Sequence, residues 1–90
     1  MNDRQLAEVM AAGAKAALNM PLVNVESAQQ AVDVYNRYLT SPTISFTRRG
    51  RWYVVIVRAY HRELNSPLGM VFVTQADPRL MWMPKRVTEV

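Results

Sequence analysis

The sequence predicts an α+β domain in which two N-terminal helices pack on one face of an antiparallel meander sheet of three to four strands, in the order α-α-β-β-β-β. Apolar residues recur at helical spacing until about residue 40, and from residue 43 they alternate with a period of two. The chain has 90 residues, a length typical of one domain. Residues 1–90 are therefore expected to form a single compact domain.

The first helix is predicted over residues 3–19. Asn2 and Gln5 have the spacing of a capping box, and Pro21 disfavours a helical conformation in the residue before it. The helix is rich in alanine and contains Gly13. Glycine costs about 1 kcal/mol of helix propensity relative to alanine, so Gly13 predicts a point where another backbone approaches closely.

The second helix is predicted over residues 25–40. Asn24 and Ser27 are both candidate N-caps, Gln30 would complete a capping box from Ser27, and the TSP segment at residues 40–42 ends the helix. One helical face is apolar. Its residues are Val25, Ala28, Val32, Tyr35 and Leu39.

A β-hairpin is predicted around the segment TRRGRW at residues 47–52. With Arg49 and Gly50 as its two-residue turn, Phe46 faces Tyr53. Primed turns favour Asn or Asp before glycine, and an arginine at that position adds charge repulsion without helping the turn. The arginines therefore favour a functional role slightly over a purely structural one.

The remaining strands follow from alternation and from apolar composition. Residues 52–57 are apolar on both faces, which predicts a central strand over residues 52–58. Residues 69–74 predict a third strand and residues 79–83 a short fourth one, while residues 60–68 read as a loop or a single helical turn. These strands complete the predicted meander.

The positive charge is concentrated in the second half of the chain. Residues 1–42 have three cations against four carboxylates, whereas residues 43–90 have eight against three, a net charge of +5. Nine of the eleven cations are arginine, whose planar guanidinium suits bidentate recognition of phosphate or carboxylate. An anionic partner is one interpretation, and simple solvation of the surface is the other.

Residues suited to catalysis are few. The chain has no cysteine, and its one histidine, His61, lies two residues from Glu63, a spacing that does not bring side chains together on a helix. The three glycines are too far apart for a phosphate loop, and the carboxylates lack calcium or zinc spacing. We therefore expect a protein that is not an enzyme and has no cofactor and no metal.

The N-terminal segment does not have the pattern of a targeting peptide. Glu8 and Lys15 interrupt its apolar run, and Asp3 lies where a signal peptide would be positive. No uncharged apolar run approaches the roughly 20 residues that cross a bilayer. A soluble, cytoplasmic protein without membrane association is expected.

Arginine interleaved with aromatic residues is typical of surfaces that bind single-stranded nucleic acid, where guanidinium groups meet phosphates and bases stack on rings. An arginine-tipped ribbon can also enter a duplex groove. Trp52 and Trp82 either stack in this way or close the core. The predicted partner-binding residues are Arg48, Arg49, Arg51, Trp52, Arg58, Arg62, Arg79, Lys85 and Arg86.

Two classes of function remain open. The first is a non-enzymatic module whose residues 43–90 engage an anionic macromolecule, either nucleic acid or a nucleic-acid-associated protein complex. The second is a small protein-binding inhibitor or adaptor, of the accessory type carried by phages and mobile elements, that occludes a partner's surface. The six methionines of the chain either form an adaptable contact surface for such a partner or fill the core. A homodimer is a further hypothesis, through Gly13 and Ala17 or through the edge of the fourth strand.

Overall fold

The computed structural model describes residues 1–82 and 85–90, and it confirms an α+β fold in which two helices precede a sheet. The helices are α1 (Asp3–Leu18), α2 (Ala28–Tyr38) and α3 (Pro78–Met81). The strands are β1 (Leu39–Arg49), β2 (Trp52–His61), β3 (Pro67–Thr74) and β4 (Val87–Glu89). They form one four-stranded sheet in the order β3-β2-β1-β4.

The sheet is mixed, so the predicted antiparallel meander is only partly correct. β2 pairs antiparallel with both β1 and β3, whereas β4 runs parallel to β1. The prediction of a fourth strand at residues 79–83 is wrong for residues 79–81, which belong to α3, and Met83 lies outside the described residues. Asp77 as N-cap and Pro78 at the first turn start this helix.

The two N-terminal helices lie on opposite faces of the sheet, which corrects the prediction of a single covered face. Successive residues of β2 alternate between the faces. Val55 and Val57 belong to the core that includes Tyr35 of α2, and Val54 belongs to the core that includes Ala7 of α1. Because β2 is apolar on both sides, each side is stabilised by its own helical cover.

The helix caps agree with the sequence more closely than the helix ends do. The backbone N–H of Gln5 donates to Asn2 Oδ1 at 2.9 Å, and the N–H of Asn2 donates to Gln5 Oε1 at 3.0 Å, which completes the capping box. Ser27 caps α2 through a 3.1 Å bond from the N–H of Gln30, but the predicted box is incomplete, because Gln30 Oε1 accepts from the N–H of Glu26 instead. However, α2 is shorter than predicted, because Leu39 is already extended and opens β1.

The turn of the β1–β2 hairpin consists of Gly50 and Arg51, since Arg49 pairs with Trp52. The turn therefore lies one residue later in the chain than the predicted one at Arg49 and Gly50. Gly50 has φ +58° at the first central position, which is the glycine placement of a type II′ turn. The turn thus has a suitable sequence, and its geometry no longer favours a functional role for the arginines.

The close backbone approach predicted at Gly13 occurs instead at Gly69. Gly13 is exposed, and a Cβ added there meets nothing within 4 Å. A Cβ at Gly69 would lie 3.0 Å from Met20 Sδ and 3.1 Å from Leu22 Cδ2. Segment 21–23 runs parallel to β3 and hydrogen-bonds to it at this point, and the absence of a side chain at Gly69 allows the contact.

Gly13 and Gly50 are expected to respond in opposite directions to alanine. Gly13→Ala should raise the free energy of unfolding by about 0.5–1 kcal/mol, because an exposed helix interior prefers alanine. Gly50→Ala should lower it by about 1–2 kcal/mol through the positive φ alone, and the methyl group would also displace the carboxylate of Asp3. Urea unfolding measures both, and a Gly50→Ala variant as stable as the wild type would contradict this turn.

Candidate functional site

Three exposed arginines come together at the end of the β1–β2 hairpin, and we call Arg48, Arg49 and Arg51 the arginine tip. Neighbouring strand residues point to opposite faces of a sheet. Arg48 lies on the α2 side, with its Cζ 5.4 Å from the ring centroid of Tyr53. Arg49 therefore points to the α1 side, and Arg51 occupies the turn, so the charges spread around the tip.

The arginine tip is not neutralised by ion pairs. Within residues 1–82 and 85–90, salt bridges join Arg4 to Glu8 and Arg79 to Asp77. Neither pair includes an arginine of the tip. The carboxylate of Asp3 lies against Gly50 in the turn but forms no salt bridge with the three arginines. The tip consequently has three guanidinium groups available to an external anion.

Trp52 lies beside the arginine tip but is not free for stacking. The Cζ of Arg4 sits 5.3 Å from the Trp52 ring centroid, and Arg4 Nε is 3.3 Å from Glu8 Oε1. The Trp52 side chain also packs against the apolar core beneath α1. Trp52 is therefore half-buried between the core and a residue of the same chain.

Arg79 is engaged by Asp77 rather than presented to a partner. Its Nε and Nη2 donate to Oδ1 and Oδ2 of Asp77 at 2.9 Å and 2.8 Å, and its Cζ lies 5.5 Å from the ring of Phe46. These side-chain bonds, with a further one from the backbone N–H of Arg79, lower the pKa of Asp77 from 3.8 to about 2. The same pairing raises the pKa of Arg79.

The other predicted cations are dispersed over the molecule. Arg62 Nη2 donates to the carbonyl of Leu39 at 3.0 Å, which ties the end of β2 to the start of β1. Lys85 Nζ lies 6.0 Å from the ring centroid of Tyr35 on the α2 face. Arg86 is exposed before β4, and Arg58 is exposed near the far end of β2. The nine predicted residues thus do not form one surface.

The aromatic residues that were candidates for base stacking are mostly in the core. Tyr53, Phe72 and Trp82 are each less than 10 % exposed. Trp82 contacts Phe72 edge to face, with ring centroids 6.2 Å apart. Since α1 and α2 cover opposite faces of the sheet, these rings are not accessible as a platform.

A cleft at the free edge of β3, which we call the edge cleft, is a feature that no sequence pattern predicted. The N–H of Gly69 donates to the carbonyl of Pro21 at 2.9 Å, and its own carbonyl accepts from the N–H of Val23 at 2.8 Å. By the alternation of the ladder, the backbone groups of Val71 and Val73 point the same way, away from β2. The edge cleft there has a volume of about 290 Å³ between α1 and residues 25–26.

His61 has a structural role in the turn that follows β2. Its Nδ1 accepts the backbone N–H groups of Glu63 and Leu64 at 3.1 Å and 3.0 Å. Among the residues that the structure describes, no three His, Asp or Glu side chains are grouped to hold a metal ion. In the same part of the chain, no helix is long and apolar enough to cross a bilayer.

The chain matches no protein-family model, no curated protein and no solved structure. A functional assignment therefore rests on the chemistry of the surfaces described above.

The ion pair of Asp77 predicts a specific dependence of stability on pH. Because the folded-state pKa of about 2 lies below the usual value, ionised Asp77 stabilises the fold fully above about pH 4, and this contribution disappears as the pH falls to about 2. Asp77→Asn keeps an N-cap oxygen but removes the charge. The difference in Tm between wild type and variant should shrink over this acidic range.

Glu63→Gln provides the matched control, since Glu63 takes part in no ion pair in the described part of the chain. If the difference in Tm between wild type and Asp77→Asn stays constant from pH 6 to pH 2, the charge of Asp77 does not stabilise the fold.

Proposed function

We propose that the protein is a small non-enzymatic binding module that contacts the phosphate backbone of nucleic acid through the arginine tip. The observation that supports this proposal is the clustering of three exposed guanidinium groups without a carboxylate partner among the described residues. Each guanidinium has five donors in a planar fork that matches two phosphate oxygens.

The geometry of the hairpin favours a duplex over a single strand. A two-stranded ribbon fits the major groove, which is about 12 Å wide. Arg48 and Arg49 lie on opposite faces of the ribbon and can reach the two phosphate walls of such a groove. Stacking of single-stranded bases lacks support, since Tyr53, Phe72 and Trp82 are buried. Contacts of this kind position a protein on the duplex with little sequence preference.

The salt dependence of binding tests this proposal. Each phosphate neutralised on duplex DNA lowers the logarithm of the affinity by about 0.9 per decade of salt, so three phosphates predict a slope of about −2.7. Replacing Arg48, Arg49 and Arg51 together with glutamine should bring the slope close to zero. The Tm should change little, because exposed charges contribute little to stability.

A matched triple variant replaces Lys15, Arg37 and Arg86 with glutamine, which lowers the net charge equally at exposed positions away from the tip. Its salt slope should stay close to that of the wild type. Equal loss of binding in both triple variants would mean that only net charge matters, and no binding to a duplex at low salt would refute the proposal.

The edge cleft favours a second candidate function, an adaptor or inhibitor that takes an extended segment of a partner protein as an added strand. Val71 and Val73 offer two N–H and two carbonyl groups at the open edge of β3. Segment 21–23 already pairs with this edge at Gly69, which demonstrates that an extended chain fits beside it.

The walls of the edge cleft define the chemistry of this segment. Ala11 and Ala12 leave room on the α1 wall for an apolar side chain. Lys15 on that wall and Glu26 on the other are not paired in the described part of the chain. Neighbouring residues of a bound strand point to opposite walls. The edge cleft therefore suits a segment in which an acidic residue facing Lys15 is adjacent to a basic residue facing Glu26.

Selection of randomised seven-residue peptides on the immobilised protein tests this second function. Val73→Pro removes an N–H at the free edge without removing a ladder bond to β2, whereas Val73→Thr keeps the N–H and the branched shape. Peptides with adjacent acidic and basic residues should bind wild type and Val73→Thr but not Val73→Pro. Enriched peptides that bind all three proteins equally would exclude strand addition at this edge.

A further inference from the structure

β1 contains an irregularity at the end opposite to the arginine tip. Its register with β2 shifts between Thr40 and Thr43, so that Ser41 and Pro42 form a bulge. Ser41 has φ +55°, in the left-handed region that non-glycine residues rarely adopt. It also precedes a proline, a position that normally is extended. Backbone strain of this kind persists only where the surrounding structure holds it, and it concentrates at binding sites.

The bulge borders a cleft of about 260 Å³, which we call the bulge cleft. Thr43 lies directly opposite Arg58 in the ladder, and Tyr60 follows Arg58 on the same face of β2. The residues that line the cleft include no carboxylate and are Met20, Ser41, Thr43, Arg58, Ala59, Tyr60 and Pro67. Arg58 has no ion-pair partner in residues 1–82 and 85–90.

We propose that the bulge cleft binds the phosphate group of a small phosphate monoester. Arg58 supplies a guanidinium fork, and Ser41, Thr43 and Tyr60 supply three hydroxyl donors around it. Phosphate has more acceptor oxygens than a carboxylate and so can use a set of four donor groups. Met20 and Pro67 give the cleft an apolar wall for the organic part of the ligand.

The strain at Ser41 fits this assignment. The bulge places an additional residue in β1 opposite β2, and Ser41 is the residue that borders the cleft there.

The C-terminal end of α1 approaches the same cleft through Met20 and contributes partial negative charge. Attraction of an anion therefore depends on Arg58, the one cation among the lining residues of the bulge cleft.

The bulge cleft is independent of the arginine tip. Arg58 lies seven residue steps after Arg51 along extended chain, which corresponds to about 23 Å. Both phosphate sites can therefore be examined separately in one protein, by following the backbone amide signals of each region.

Titration with inorganic phosphate and with adenosine monophosphate, followed by amide NMR at constant ionic strength, tests the proposal. Both ligands should shift the backbone amides of Thr40, Ser41, Thr43 and residues 58–60, with tighter binding of the monoester, whereas adenosine without phosphate should not. Arg58→Gln should weaken binding about ten- to hundredfold, as expected for loss of charge-assisted hydrogen bonds. The triple glutamine variant of the arginine tip is the matched control and should bind as the wild type does.

Ser41→Gly separates the two roles of the serine. Glycine accepts the positive φ, so the variant should have a higher Tm than the wild type and a lower affinity for phosphate. Shifts confined to residues 48–52, no shifts at all, or unchanged affinity in Arg58→Gln or Ser41→Gly would each overturn the assignment.

Discussion

The burial of β2 on both faces is the constraint on which the rest of the structure depends. Tyr53, Val55 and Val57 face one apolar core, and Val54 and Ile56 face another. A strand that is apolar on both sides is stable only when both sides are covered. This requirement places α1 and α2 on opposite faces of the sheet and turns a two-layer arrangement into a three-layer one.

The same arrangement decides which arginines are available for binding. Covering both faces buries most of the aromatic rings and brings several cations into contact with them or with carboxylates. Arg4 lies over Trp52, Arg79 is fixed by Asp77, and Arg62 binds the carbonyl of Leu39. The arginines of the β1–β2 turn stay exposed and form no salt bridge within residues 1–82 and 85–90, although Arg48 also lies over Tyr53. Their chemistry supports the proposal of a phosphate-binding tip.

β1 links the two ends of the molecule. It starts directly after α2, contains the strained bulge at Ser41, and ends at the arginine tip. It pairs with β2 on one side and with β4 on the other. The proposed tip and the proposed phosphate cleft thus lie at opposite ends of one strand pair, while the open edge of β3 lies on the other side of β2.

The sequence by itself determined the features that depend on neighbouring residues. These include the caps at Asn2 and Ser27, the central position of β2 and the clustering of the three tip arginines, which are close in the chain. Tertiary structure decided the face that each helix covers, the parallel pairing of β4, and the dispersal of Arg58, Arg62, Arg79, Lys85 and Arg86. The physical reason is that periodicity shows which residues are buried, whereas the partner that buries them depends on contacts between residues distant in sequence.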